Sequence, residues 1–205
     1  AAMEAATGTR PLALRCDVTD TAALRAAMAA AAAAHGPVTV LVANAADDAR
    51  HATLDVTPEF WEKSLAVNFG HYFFAAQAAI PGMRAAGGGS IILFSSISYM
   101  MGNAGYPAYM AANAGITGLA RGLAREFGPD RIRVNALAPG WVMTDKQRRL
   151  WASPADIAAH LDKQCLKETL DPADITGGTL FLASRASRMM TGQVLVIDGG
   201  VVTTG

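Results

Sequence analysis

Five short apolar runs limit what this chain can fold into more than any other feature. They lie at residues 12–16, 38–43, 91–94, 131–136 and 194–197, and longer segments of helical character separate them. Runs of this length fit buried strands rather than helices. Strand and helix in strict alternation predict an α/β fold with a doubly wound parallel sheet. The helices carry their own punctuation. Thr19 or Asp20 can cap a helix that runs to His35 and stops at Gly36-Pro37. Thr57-Pro58-Glu59 opens a long helix over 60–85, with Gly70 as its bending point. Pro107 suits a first helical turn, where its missing N–H costs nothing, and Gly128-Pro129 ends that helix. Residues 145–168 read as polar helix broken at Ser153-Pro154, and Asp171-Pro172 opens a last helix to about Ala183. Residues 1–10 read as the end of a helix. The three glycines at 87–89 precede a strand, so they form a turn and no phosphate loop.

The stretch 90–118 carries the chemistry. Ser95 and Ser96 follow the apolar run 91–94, at the carboxyl edge where open parallel sheets bind ligands. Gly102, Asn103 and Gly105 mark a loop. Tyr109 falls in the first turn of the next helix, with Asn113 one turn on, on the same face.

This pattern resembles the short-chain dehydrogenase/reductase family. Its signature is a serine after this strand, a tyrosine thirteen residues later and a lysine four beyond. Ser96 and Tyr109 keep that spacing, and Asn113 stands at the lysine position. The resemblance implies that Tyr109 accepts the hydroxyl proton during hydride transfer to a nicotinamide. A free tyrosine has a pKa of about 10, and an adjacent ammonium favours the phenolate. Lowering that pKa by roughly three units takes roughly 4 kcal/mol. Asn113 donates hydrogen bonds without charge, so it can hold a sugar hydroxyl but supplies little of that shift.

The resemblance implies further roles. Asp17 and Val18 meet the adenine ring of the cofactor. Asn44, Ala45 and Ala46 line the cofactor beside the central sheet, with Asn44 bracing it. Asn68, in Val67-Asn68-Phe69, is the fourth active-site member, which in the family holds the catalytic lysine through a water. Pro139, Gly140, Val142 and Thr144 clamp the nicotinamide, and 145–168 is a lid over substrate. The long helix 60–85 and the helix after Tyr109, rich in Ala and Gly, imply a homo-oligomer, dimer or tetramer. The cofactor is NAD or NADP. The strand, glycine-rich turn and helix that cradle its pyrophosphate are not found in these residues. The resemblance therefore implies a Rossmann-like domain over 1–205 that is incomplete at its amino end by on the order of 30–40 residues, about one βαβ unit. That would part 12–16 from the sheet and expose apolar edges.

Composition narrows the partners. Formal net charge is zero, and no basic patch points to nucleic acid or an anionic membrane. No apolar run reaches the ~18 residues of a membrane span, and no secretory signal is visible. Cys16 and Cys165 make no disulfide framework, and no Cys/His cluster has metal spacing. The expected location is cytoplasmic. A finer resemblance, carried by 44–51, 141–147 and Gln164-Cys165-Leu166, is to aldose 1-dehydrogenases that oxidise xylose, arabinose or galactose to lactones. Two alternatives stay open: a 3-oxoacyl carrier-protein reductase, and a non-catalytic member that binds a ligand or pairs with an active homologue. Asn113 favours the last, and a cofactor titration separates it from an enzyme.

Overall fold

The structure is a computed structural model and describes residues 4–5 and 8–203. Four strands form one parallel sheet in the order β1 (Val40–Ala43), β2 (Gly89–Phe94), β3 (Ile132–Pro139), β4 (Val194–Ile197). Between β1 and β2 run α2 (Pro58–Leu65), a π-helical turn (Ala66–Gly70) and α3 (His71–Ala85). Between β2 and β3 run the single turn α4 (Ser98–Met101) and α5 (Pro107–Phe127). Between β3 and β4 run α6 (Asp145–Leu150), α7 (Pro154–Lys163) and α8 (Pro172–Ala183). The helix α1 (Thr21–His35) precedes β1, and Asp20 caps it by accepting from the N–H groups of Ala22 and Ala23.

The two-residue period of strands divides the core between the faces. On one face, Ile91 and Leu93 of β2 and Ile132, Val134 and Ala136 of β3 pack with Tyr72, Met83 and Ile116 from α3 and α5. On the other, Ile92 and Leu137 pack with Ile175 and Leu182 of α8. Asn135 is fully buried in β3. Its amide donates to the Met190 carbonyl at 2.9 Å and its oxygen accepts from Gln193 N–H at 3.1 Å, fixing the approach to β4.

Two expectations are corrected. Residues 12–16 form no strand. β1 pairs with β2 alone, so this stretch has no ladder to join, and an isolated strand satisfies none of its own backbone groups. Leu12 and Leu14 stay exposed at 44% and 45%, as do Val40 and Val42 of β1 at 41% and 42%. The long helix is not a uniform bent α-helix. Its break is the wider π turn Ala66–Gly70. Of the helix end expected at 1–10, Glu4 and Ala5 are helical, and residues 1–3, 6 and 7 lie outside the described residues. Among the described residues no helix is long and apolar enough to cross a membrane.

Candidate active site

Ser95 and Ser96 leave the carboxyl end of β2 with different tasks. Ser95 is structural: its N–H donates to the Leu137 carbonyl at 2.7 Å, and its hydroxyl to the Asn113 carbonyl at 2.9 Å. It joins the β2–β3 edge to α5. Ser96 Oγ accepts from Ser98 N–H at 3.2 Å and hydrogen-bonds the Tyr109 side chain. The expected serine–tyrosine pair is therefore assembled.

Pro107 occupies the first turn of α5, as its fixed φ favours, and Tyr109 follows two residues on. Burial pushes the Tyr109 phenol up. Hydrogen bonds from Ser96 and Asn113 pull it down, while the Asp48 carboxylate and Tyr106 push it up again, and the net shift is upward. No cation contributes. Asn113 is buried, and its amide donates to the Tyr109 carbonyl at 2.8 Å. Lys146, a possible substitute for the family's lysine, is bound elsewhere: its Nζ lies 2.6 Å from Asp48 and 3.4 Å from Asp47. Arg50 stacks on Tyr106, 3.8 Å from the ring centre, and lies 5.3 Å from that of Trp151.

Asn68 sits in the π turn, buried, with a role the sequence did not foretell. Its side-chain oxygen accepts from Asp47 N–H at 2.7 Å, and its amide donates to Ser64 Oγ at 3.3 Å. It holds the loop after β1. His71 Nε2 meets the Ala45 carbonyl of the same loop at 2.8 Å. His51 closes the loop onto α5: its Nε2 accepts from Ala108 N–H at 3.3 Å, so its Nδ1 carries the proton and donates to the Ala49 carbonyl at 3.0 Å. Read from sequence as a solvated loop residue, His51 instead caps the catalytic helix.

Two cavities meet at Ser96, Tyr109 and Gly140. The smaller, about 180 Å³, is also lined by Asn44, Ala46, Asn68, Asn113 and Pro139. The larger, about 710 Å³, takes in Asp48, Arg50, Val142, Thr144 and the inner side of α6 and α7. Gly140 is required between them: a Cβ there would lie 2.8 Å from Asp198 Cα. The sheet edge thus gathers Asn44, Ala46, Pro139 and Gly140 with the catalytic group, and places Val142 and Thr144 in the larger cleft. The Ala45 carbonyl is turned to His71 and Tyr72, and Ala45 lines neither cavity.

Asp17 and Val18 are not brought there. Asp17 is exposed, and its carboxylate accepts from Thr19 N–H and hydroxyl at 2.9 and 2.8 Å, which lowers its pKa. Both residues follow the stretch that forms no strand, so nothing holds them to the sheet edge.

The lid expected over 145–168 is tied to the loop after β1. Asp48 accepts from Lys146 and, at 2.7 Å, from the Gln147 amide, while Gln147 accepts from Trp141 Nε1 at 2.8 Å. Burial raises the Asp48 pKa, but these hydrogen bonds outweigh it and hold the carboxylate ionised. Sequence reasoning missed Tyr106, Trp151 and His160 as cleft residues. The available signal was the aromatic and histidine content of an otherwise polar helix pair.

The arrangement is matched by known proteins. The family profile described as "Enoyl-(Acyl carrier protein) reductase" matches residues 1–202. "Probable galactose dehydrogenase GalD" of Rhizobium meliloti (strain 1021) is 49% identical over 197 residues, covering 96% of this chain and 77% of that protein. D-xylose 1-dehydrogenase of Caulobacter vibrioides (strain NA1000 / CB15N) is 42% identical over 190 residues, covering 93% and 75%. A crystal structure from Sinorhizobium meliloti 1021, assigned to the short-chain alcohol dehydrogenases, superposes with a TM-score of 0.93 at 33% identity, covering 98% of this chain and 79% of that one. The chain belongs to the short-chain dehydrogenase/reductase family, whose dehydrogenases use NAD or NADP.

The residues present fit the nicotinamide end of such a cofactor. The smaller cavity lies at the strand ends, opens onto Tyr109, and is bounded by a glycine whose Cβ would close it. The pyrophosphate end is a different matter. Among the described residues no glycine-rich turn joins a strand to a helix N-terminus, the geometry that suits a phosphate group.

Proposed function

We propose that this chain is an NAD(P)-dependent dehydrogenase that oxidises the anomeric hydroxyl of an aldose to a lactone. The observation that carries this reading is the meeting of the two cavities at Ser96, Tyr109 and Gly140. One cavity suits a flat ring against the sheet edge. The other is walled by aromatic rings and polar side chains, as a polyhydroxylated substrate needs. The names of two relatives at 49% and 42% identity, a galactose and a xylose dehydrogenase, support the sugar.

Bound in the smaller cavity, the nicotinamide supplies the hydride acceptor. Ser96 orients the reacting hydroxyl through the hydrogen bond it shares with Tyr109. Tyr109 Oη takes the hydroxyl proton. Asn68 keeps the wall in place by holding Asp47, and the Asp48–Gln147 contact holds α6 across the cleft. Two copies pairing through α3 and α5, where Phe73 is exposed and Gly118 and Gly122 meet nothing, belong to the same proposal.

A panel of aldoses, alcohols and 3-oxoacyl thioesters, each assayed with both cofactors, tests this. Aldose oxidation that disappears in Tyr109→Phe is expected. Reduction of thioesters without aldose oxidation would reverse the assignment.

A further inference from the structure

Among the described residues that are not exposed, three buried side-chain polar atoms lack a hydrogen-bond partner: Ser98 Oγ, Trp151 Nε1 and His160 Nε2. All three residues line the 710 Å³ cleft. They come from separate places in the chain. Ser98 opens α4, Trp151 follows α6, and His160 lies in the last turn of α7. Leaving such a group unmade is unfavourable, and folded domains contain only a few. Chance would scatter them through the molecule. Their gathering on one wall is what a binding site shows when its polar groups are kept for a ligand.

The surroundings indicate the ligand. Trp141 packs edge-on against His160, with ring centres 5.3 Å apart, and its own Nε1 is already engaged by Gln147. Its ring thus acts as wall, whereas the indole N–H of Trp151 is spare. Aromatic faces take the C–H side of a sugar ring, and the three tips take hydroxyls. Trp151 can only donate, whereas serine and a neutral imidazole can each donate or accept. Burial and Lys163 favour that neutral imidazole, against Asp198.

We propose that Ser98, Trp151 and His160 form a subsite that reads hydroxyl groups of the substrate remote from the carbon at which Tyr109 acts. This rests on the aldose reading and adds to it the part of the cleft that tells one polyhydroxylated substrate from another. A site built to hydrogen-bond a hydroxyl discriminates strongly against analogues lacking it.

The test uses the full chain and Ser98→Ala, Trp151→Phe and His160→Phe. The probe is 1,5-anhydrogalactitol, which keeps the remote hydroxyls and has no anomeric hydroxyl to oxidise. Binding is followed by calorimetry and by the indole N–H resonance of Trp151. Each variant should bind about five- to tenfold more weakly, the size of one lost hydrogen bond. Each should melt, without ligand, at the parent temperature or above, because an unpartnered polar group has been replaced by an apolar one. Parent-like affinity in the variants overturns the subsite and leaves the aldose reading standing. Weaker binding with a lower melting temperature assigns these groups a structural role and also overturns it. A parent chain that binds neither the probe nor any aldose, yet oxidises another alcohol, overturns both.

Discussion

The side-chain amide of Asn113 donates to the backbone carbonyl of Tyr109, 2.8 Å away, within the first two turns of α5. The group that follows the catalytic tyrosine by one turn thus spends a hydrogen bond on the helix itself. It brings no charge to the phenol, and Asp48 opposes ionisation.

Oxidation should therefore be slow near neutrality. An ordinary tyrosine, with a pKa of about 10, is ionised in roughly one part per thousand at pH 7, and the upward shift of Tyr109 makes that fraction smaller. The rate should climb about tenfold per pH unit through pH ~9. Asn113→Lys places a cation one turn from Tyr109 and should raise the rate at pH 7 on the order of a hundredfold while flattening the profile. Tyr109→Phe should abolish activity in both backgrounds. The check is a pH–rate profile of each variant; equal rates at pH 7 with and without the lysine would show that proton transfer is not limiting.

Alkaline stability follows from the same burial. Tyr72 and Tyr109 both have raised pKa values in the fold, burial being the main cause. Below about pH 10 both are neutral whether the chain is folded or not, and the stability of the fold is fully present. Above it the unfolded chain releases these protons and the folded chain does not. Stability should then fall by up to about 1.4 kcal/mol per pH unit for each tyrosine. Denaturant melts between pH 9 and 11 should show this, with a shallower slope in Tyr72→Phe.

His51 is a positioning residue. Removing its ring in His51→Ala leaves Ala108 N–H without its acceptor and should cost about 1 kcal/mol, as for other lost helix caps. Because Tyr109 is the next residue, kcat should fall more than KM rises. His51→Gln, which can offer an oxygen acceptor, should recover part of the loss. An unchanged kcat in the alanine variant would mean that α5 needs no cap from this loop.

Gly140→Ala would set a Cβ 2.8 Å from Asp198 Cα and 2.9 Å from Leu170 Cδ1. The first is backbone and cannot swing aside. Overpacking of this kind costs about 1–3 kcal/mol, and the strain falls where β3 and β4 flank both cavities. A melting curve and a cofactor titration should both register it.

The sequence made most of the sheet and the Ser96–Tyr109 pair legible because both rest on local signals. These are apolar runs bounded by turn residues, and a fixed spacing across one strand, loop and helix. It was silent where the outcome depends on what a segment can pair with. Residues 12–16 have the composition of a strand and no neighbouring strand to bond. Asp17 and Val18 miss the cavities for the same reason. Asn68 kept its expected burial and gained a different client, the Asp47 amide, because contacts between loops 20 residues apart leave no periodic trace. Trp151 and His160 were invisible as a pair, since only the packing of α6 against α7 brings them to one cavity.

The wide turn Ala66–Gly70 makes the length of its helix indispensable. It absorbs one residue more than an α-helical turn can, and so sets the rotational phase of everything after it. Deleting a single residue there would restore regular winding and turn α3 by about 100°. Tyr72, Ala76, Ile80 and Met83, now against the sheet, would swing away from it together, and Asn68 would lose Asp47. Single-residue deletions should be tolerated in the loop between α3 and β2 and be lethal to folding between Ala66 and Gly70, although every residue removed there is small or uncharged.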